Sequence, residues 1–215
     1  MPGSLPPGDP GYWQWGVTSY HGNGGTATYG VLKLYSACAV CDGQNDSRDG
    51  VILLYQYFNG NGALNANGSN NIDCRTSVSI TSVTDGTSNT FLLGEKSLYD
   101  PDYDANCTGG ALITKSFWAN PSMVDCVSGA EFPLNSSFKV LKGLLAGGCP
   151  DQNLTGSDPT SCACDARSVN FSSNHKGGVN FVFCDGSVRF VQESITLVTL
   201  RALSTRSGGE VVSDY

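Results

Sequence analysis

Charged side chains are scarce in this sequence: Asp, Glu, Lys and Arg together make up 14% of its 215 residues, against about a quarter in an ordinary soluble domain. So few charges exclude a long coiled coil and an acidic disordered tail. The charges that are present sum to −7 at pH 7, so a phosphate backbone would be repelled. We therefore expect no nucleic acid among the partners.

Long apolar runs are also missing. No stretch approaches the ~20 residues of a membrane-spanning helix, and the opening MPGSLPPG lacks the basic start and apolar core of a signal peptide. If the protein is exported, we expect this sequence to be a mature or trimmed form of it.

Common catalytic motifs are absent as well. The sequence contains no GxSxG, HExxH, P-loop or dinucleotide-binding pattern, and its 2 histidines leave little room for a Ser-His-Asp triad. We therefore favour a protein without enzymatic activity. A metal-dependent hydrolase that uses acidic loop residues is kept as an alternative.

Glycine and proline are abundant instead, with 27 and 9 residues, and 40% of the sequence is apolar. This composition is typical of short strands joined by turns. It predicts a single α+β domain over residues 1–215 in which strands dominate, opened by an extended segment over residues 1–16.

The Asp85-Gly86 pair fits either a hairpin turn or a short helix capped by Thr84 or Asp85, and both remain open.

The 9 cysteines indicate an exported protein, since cytosolic chains rarely carry so many outside metal sites. Residues 98–168 lack periodicity, and we expect a long loop-rich insertion there that disulfides hold together. Zinc bound by a C-x2-C and a C-x-C pair is the alternative, although zinc ribbons normally use two matched C-x2-C pairs. The predicted disulfide cysteines are Cys38, Cys41, Cys74, Cys107, Cys126, Cys149, Cys162 and Cys164.

The clearest local structure is a hairpin in HKGGVNFVFCDGSVRFVQE. Its Asp-Gly pair at 185–186 is a preferred two-residue turn, which predicts that Phe183 pairs with Val188 and Phe181 with Phe190. These four side chains would form one apolar face of the hairpin, directed at a core.

Cys184 falls on the opposite face of this hairpin beside Val182, which makes it the cysteine expected to stay unpaired. After the hairpin, leucines at helical spacing predict a short amphipathic helix that stops at Gly208 or Gly209. These leucines are Leu197, Leu200 and Leu203.

Four separated blocks of the sequence resemble one family. NHKGGVNFVFCDGSVRFV looks like an H-X9-DG signature, and TDGTSNTFLLGE, LRALSTRSGGEVV and TSYHGNGGT look like further blocks of the same family. The resemblance is to the planctomycete family called domain of unknown function 1559. The residues that carry the signature, and to which we assign structural roles, are His175, Asp185, Gly186, Asp85, Gly86, Asn89 and Glu95.

The resemblance implies a pilin-like or pseudopilin-like antiparallel sheet, displayed at the cell envelope or outside the cell. Residues 169–215 would supply its signature hairpin and short C-terminal helix. It further implies a structural subunit of a filament or of a type II secretion-like apparatus. Members usually begin with a prepilin-type apolar helix, and this sequence lacks it. Self-assembly, or binding to other pilus or secretion components, would need that missing helix.

His175 and Asp185 invite a catalytic interpretation, because a histidine beside a carboxylate is a common acid-base pair. The strand between them is extended, however, and places them about 15–20 Å apart. We therefore expect His175 to fix the loop that precedes the strand.

A calcium site is the candidate in DPDYDAN, where oxygens at every second residue suit a hard cation. The match is partial, since Ala105 and Ala111 stand where an EF-hand loop needs Gly and Glu. The ligands would be Asp100, Asp102, Asp104 and Asn106. Calcium is the cofactor that we favour, ahead of the zinc alternative.

Aromatic side chains near the N-terminus give a second alternative function, a carbohydrate-binding surface module. Their rings could stack on sugars, although aromatic rings more often serve burial. The candidates are Tyr12, Trp13, Trp15 and Tyr20.

Overall fold

A five-stranded sheet organises the part of the chain that the computed structural model describes, residues 18–26, 49–52, 78–97, 99–107, 127–147, 159–210 and 212. Its strands are β1 (Tyr20–Asn23), β2 (Phe91–Glu95), β3 (Val127–Ser128), β4 (Gly178–Phe183) and β5 (Val188–Gln192). The helices are α1 (Pro101–Asn106), α2 (Phe138–Leu144), α3 (Pro159–Val169) and α4 (Leu197–Ser204). The fold is therefore α+β, as expected. None of these described helices is long and apolar enough to cross a membrane.

The strand order across the sheet is β3-β1-β2-β4-β5. β1 pairs antiparallel with β2, β2 with β4, and β4 with β5. β3 lies at the edge and pairs parallel with β1, so the expected antiparallel sheet carries one parallel pair.

The β4–β5 hairpin forms where it was expected, but the predicted register is wrong by one residue. Phe181 lies opposite Arg189, and Asn180 lies opposite Phe190. The loop has three residues because Gly186 N donates to Phe183 O at 2.9 Å and Gly186 then takes a φ of 84°. A tight turn followed by a left-handed glycine inserts this extra residue.

The shift in register exchanges the faces of β5, since a slip of one residue moves each side chain to the opposite side of a sheet. The inner face of the sheet consists of the buried side chains Phe91, Val179, Phe181, Phe183 and Val191. The outer face carries Tyr20, Leu93, Val182, Val188 and Phe190 together with the polar residues Glu95, Asn180 and Gln192. Val188 and Phe190 are therefore exposed rather than buried with Phe181 and Phe183 as predicted.

The region around Asp85, which the sequence left open, contains 3₁₀ turns at Ile80–Ser82 and Thr87–Asn89. α4 confirms the predicted C-terminal helix, and its Leu200 and Leu203 are fully buried. The helix ends at Ser204, before the glycines that were expected to stop it.

The predicted loop-rich insertion over residues 98–168 contains α1, α2, β3 and most of α3. α1 and α2 have only six and seven residues, too few to produce a clear helical periodicity in the sequence. A disulfide between Cys107 and Cys164 joins the end of α1 to α3, and Cys162 is also disulfide-bonded. The zinc alternative is therefore wrong for the Cys162/Cys164 pair.

Cys184 has a free thiol, as predicted. Burial and the charge of Asp185 raise the pKa of this thiol. The other predicted disulfide cysteines lie outside the described residues: Cys38, Cys41, Cys74, Cys126 and Cys149.

Buried apolar side chains form two clusters. The sheet cluster lies between the inner face of the sheet and α4 and includes Phe91, Phe171, Phe181, Phe183, Leu200 and Leu203. The helical cluster lies among α1, α2 and α3 and includes Tyr103, Phe138, Leu141, Cys162, Ala163 and Ala166.

Candidate functional site

Glu95 stands at the end of β2 and connects three parts of the signature region. Its Oε2 accepts a hydrogen bond from Asn180 N at 2.9 Å, and its Oε1 accepts one from Asn180 Nδ2 at 3.2 Å. His175 Nε2 lies 3.3 Å from the same Oε1. Burial alone would raise the pKa of Glu95, but hydrogen bonds from Asn180 and Ser173 and the nearby His175 hold it below its usual value. Glu95 therefore fastens the loop before β4 to the sheet.

Asp185 and Gly186 lie at the other end of β4, so the strand separates them from His175. Asp185 Oδ1 accepts from Ser187 N at 2.8 Å within the turn. Asp185 N donates to Thr87 O at 3.0 Å, and Cys184 N donates to Thr90 O at 2.9 Å. The hairpin loop is thus anchored on the segment that contains the second signature block.

Asp85 holds the third block in place. Its two carboxylate oxygens accept from Gly208 N at 2.7 Å and from Gly209 N at 2.8 Å. Asn89 Nδ2 donates to the Asp85 carbonyl at 3.4 Å, and Gly86 has a φ of 97° that favours glycine. These signature residues therefore connect loops that are distant in sequence.

Beyond Glu95, the charged side chains of Lys96, Asp100 and Arg167 are buried. Lys96 Nζ donates to the carbonyls of Arg167 and Asn170, where α3 ends. A cation at this position interacts favourably with the unpaired carbonyls and the negative end of the helix dipole. Burial, followed by the charge of Arg167, lowers the pKa of Lys96 well below its usual value, while Asp100 acts in the opposite direction.

His21 is the second buried group with a strongly shifted pKa. Burial and the charge of Lys96 lower its pKa to about 3, although a backbone hydrogen bond at Val127 opposes them. Its Nδ1 lies 2.9 Å from Ser128 Oγ. The imidazole is therefore neutral at physiological pH and fixes β1 against β3.

A cleft of about 340 Å³ opens where β2 ends, between the segment after Glu95 and the loop before β4. Glu95 and His175 form one side of it. Its other lining residues include Ser19, Ser97, Tyr99 and Asn174. This volume lies at the lower end of the range of small-molecule sites.

The cleft contains one acid and one imidazole, but the acid is occupied by Asn180 and His175. Among the described residues, no three His, Cys, Asp or Glu side chains lie close enough together to hold a metal ion. The chemistry that this geometry favours is recognition of a polar group.

A family model for proteins of unknown function, DUF1559, matches residues 19–197. The chain belongs to this family. No curated protein and no solved structure matches the chain.

In this DUF1559 chain the four predicted calcium ligands are not brought together. They lie on and before α1, where residues two apart point to nearly opposite sides of the helix. Asp100 caps the helix by accepting from Tyr103 N at 3.2 Å, and it also accepts from Phe138 N and Arg167 Nε at 2.9 Å each. Asp102, Asp104 and Asn106 are exposed.

The predicted sugar-binding aromatics are described only in part. Tyr20 lies opposite Glu95 on the outer face and is 52% exposed. Tyr12, Trp13 and Trp15 lie outside the described residues.

Lys96, Arg167 and Tyr99 were missed from the sequence. The one available signal was Lys96 itself, a cation directly after a strand that ends in a signature glutamate. Arg167 had no such signal, because the helix that carries it was not predicted.

Proposed function

We propose that this DUF1559 chain is a non-enzymatic pilin-like or pseudopilin-like subunit, exported to the cell envelope or the cell surface. In this proposal an apolar N-terminal helix of the prepilin type covers the outer face of the sheet. The subunit acts by assembly into a filament or a secretion apparatus.

The observation that carries the proposal is an apolar patch on the outer face of the sheet. Val188 is 67% exposed and Phe190 is 46% exposed, and Val182 and Leu93 lie beside them across the sheet. An antiparallel sheet with one face in water normally alternates apolar and polar side chains. β5 departs from this pattern, because the residue between its two exposed apolar side chains is Arg189.

Arg189 compensates for its position on the inner face. Its guanidinium lies 4.6 Å from the centre of the Phe183 ring, which it covers at the edge of the sheet. This cation–π contact therefore covers the inner face at the edge strand. On the outer face, Val188 and Phe190 stay exposed to water. Exposed apolar patches of this kind commonly mark contact surfaces.

The signature residues support a structural role in the same way. Glu95, Asp85 and Asp185 each accept backbone N–H groups from another segment or within a turn. Groups engaged in this way hold loops in position and are poorly suited to act as nucleophiles or general bases.

Immunogold electron microscopy of the tagged full-length protein in its native cells tests the proposal. We expect gold particles on the cell surface or on filaments, and we expect Phe190→Asp to abolish this labelling. Since Phe190 is partly exposed, the isolated variant chain should keep its melting temperature within a few degrees.

Val198→Asp is the matched control, because Val198 is 79% exposed on α4, away from the outer face. Cytoplasmic labelling, or assembly that Phe190→Asp does not affect, would contradict the proposal.

A further inference from the structure

The cleft beside His175 has hydrogen-bonding capacity that the protein does not use. Asn174 Oδ1 accepts from Ser97 Oγ at 2.7 Å, which leaves the two N–H groups of Asn174 Nδ2 available. In the part of the chain that the structure describes, the Tyr99 hydroxyl and Ser19 Oγ also have no hydrogen-bond partner. Three polar groups from three segments are therefore free around one cleft.

The position of Tyr99 is fixed by its own backbone. Ser97 Oγ accepts from Tyr99 N at 3.3 Å and lies 3.5 Å from Tyr99 O, and it also donates to Asn174. The side chain of Tyr99 is 70% exposed although the segment that carries it is held in place. A ring that is exposed on a fixed backbone is suited to stack on the apolar face of a ligand.

The charges around the cleft select against anions. Lys96 and His175 are the basic residues that line the cleft. Lys96 is buried, with its Nζ hydrogen-bonded to the carbonyls of Arg167 and Asn170, and His175 Nε2 lies 3.3 Å from Glu95 Oε1. Glu95 contributes a negative charge, and the whole chain carries −7. An acidic sugar, a phosphate or an acidic peptide would be repelled.

We propose that this cleft binds a neutral sugar, with Tyr99 stacked on the ring and with Asn174 and Ser19 hydrogen-bonded to its hydroxyl groups. Sugar hydroxyls both donate and accept, which matches the mixture of amide and hydroxyl groups that is free here. The cleft has room for a terminal sugar unit rather than for a long chain. This function would add glycan recognition to the proposed display subunit.

The site differs from the sugar-binding surface predicted from the sequence. That prediction relied on rings near the N-terminus, whereas this cleft uses Tyr99, Asn174 and Ser19. Tyr20 lies beside Glu95 at the side of the cleft but is not among its lining residues.

The test is a glycan array probed with the purified, labelled chain, followed by titration calorimetry with each neutral mono- or disaccharide that binds. We expect Tyr99→Ala to weaken binding by about tenfold, as the loss of one ring contact predicts. Asn174→Ala should weaken it by a comparable factor, and Tyr99→Phe should retain most of the affinity.

Ile80→Ala is the matched control, because Ile80 is 61% exposed and does not line the cleft. It should leave affinity unchanged. Thermal melts followed by circular dichroism will establish that Tyr99→Ala is folded, since the removed side chain is mostly exposed.

The proposal is overturned if no neutral glycan binds, if only acidic glycans or peptides bind, or if Tyr99→Ala and Asn174→Ala both bind as the parent chain does. Glycan binding by the isolated chain does not depend on assembly at the cell surface. Phe190→Asp should abolish assembly and leave glycan binding by the isolated chain intact, so failure of one proposal is distinguishable from failure of the other.

Discussion

The two buried clusters of the molecule are stabilised in different ways. The sheet cluster consists mainly of large aromatic and aliphatic side chains. The rings of Phe91 and Phe181 stack at 3.9 Å between centroids, and Phe183 and Phe171 pack edge-on against them at 5.1 and 5.0 Å. β2 and β4 supply the rings of Phe91, Phe181 and Phe183 at fixed positions, so burial alone can hold this part of the fold.

The helical cluster is built from shorter elements and smaller side chains. α1 and α2 have six and seven residues, and isolated helices of this length are not stable in water. Ala163 and Ala166 allow α3 to pack closely but bury little apolar area. This cluster therefore depends on the Cys107–Cys164 disulfide and on the buried Asp100–Arg167 ion pair. The comparison indicates that cross-links are placed where burial is insufficient.

The largest predicted effect tests the sheet cluster. Phe181→Ala should lower the free energy of unfolding by about 3–5 kcal/mol, because Phe181 is fully buried and contacts two other rings. Phe190→Ala on the outer face should cost less than about 1 kcal/mol. Urea denaturation of both variants measures the difference, and equal costs would show that the register of the hairpin is wrong.

The second prediction concerns the covalent link in the helical cluster. Replacing Cys107 and Cys164 by serine should lower the free energy of unfolding by about 2–4 kcal/mol, because a disulfide that spans 57 residues restricts the unfolded chain. Cys184→Ser is the control, since that thiol is free. A double variant as stable as the parent chain in urea denaturation would mean that packing and the disulfide of Cys162 are enough to hold the helical cluster.

The ion pair gives the third prediction. Asp100→Asn should cost about 1.5–3 kcal/mol at pH 7, because Asp100 accepts from Arg167 Nε and from two backbone N–H groups. Burial would raise the pKa of Asp100, but these hydrogen bonds and the charge of Arg167 lower it below its usual value. The carboxylate therefore stabilises the fold above its unfolded pKa of about 4, and this contribution is lost as the pH falls through the lower folded pKa.

Urea denaturation at pH 7 and at about pH 3 tests the direction of this pH dependence. The stability gap between the parent chain and Asp100→Asn should narrow at the lower pH. Asp102→Asn on the exposed side of α1 should change stability by less than about 1 kcal/mol at either pH. If the stability difference between the parent chain and Asp100→Asn widens at the lower pH, an ionised Asp100–Arg167 pair is ruled out.

The same contrast between the clusters explains what the sequence could predict. The hairpin and α4 were predicted, because period-two and helical spacing of large apolar residues is visible in a single chain. The free thiol of Cys184 was also predicted, although Cys184 lies in the hairpin loop and not on the strand face where it was expected. The register was not, since the Asp-Gly pair fits both a two-residue and a three-residue loop. The helical cluster was interpreted as loops because α1 and α2 are too short to show a helical period. The contacts of Asp100 with Phe138 N and Arg167 Nε are also distant in sequence.

The candidate site was predicted only in its signature residues. His175 and Glu95 were identified as structural, and the structure brings them together. Tyr99, Asn174 and Ser19 converge only because β2, β4 and the chain before β1 meet at one end of the sheet. The sequence around each of these three residues contains no local motif that would predict the cleft.

The smallest predicted effect belongs to His175, which lies outside both clusters. Its side chain is 63% exposed, and Glu95 keeps both hydrogen bonds from Asn180 without it. An exposed pair of this kind typically contributes less than about 1 kcal/mol. His175→Ala should therefore lower the free energy of unfolding by no more than this, measured by urea denaturation at pH 7.

Glu95→Ala is the contrasting variant, because it leaves two donors of Asn180 without a partner beneath the cleft, and it should cost about 1–3 kcal/mol. If His175→Ala proves the more damaging of the two, the histidine rather than the glutamate holds the loop to the sheet.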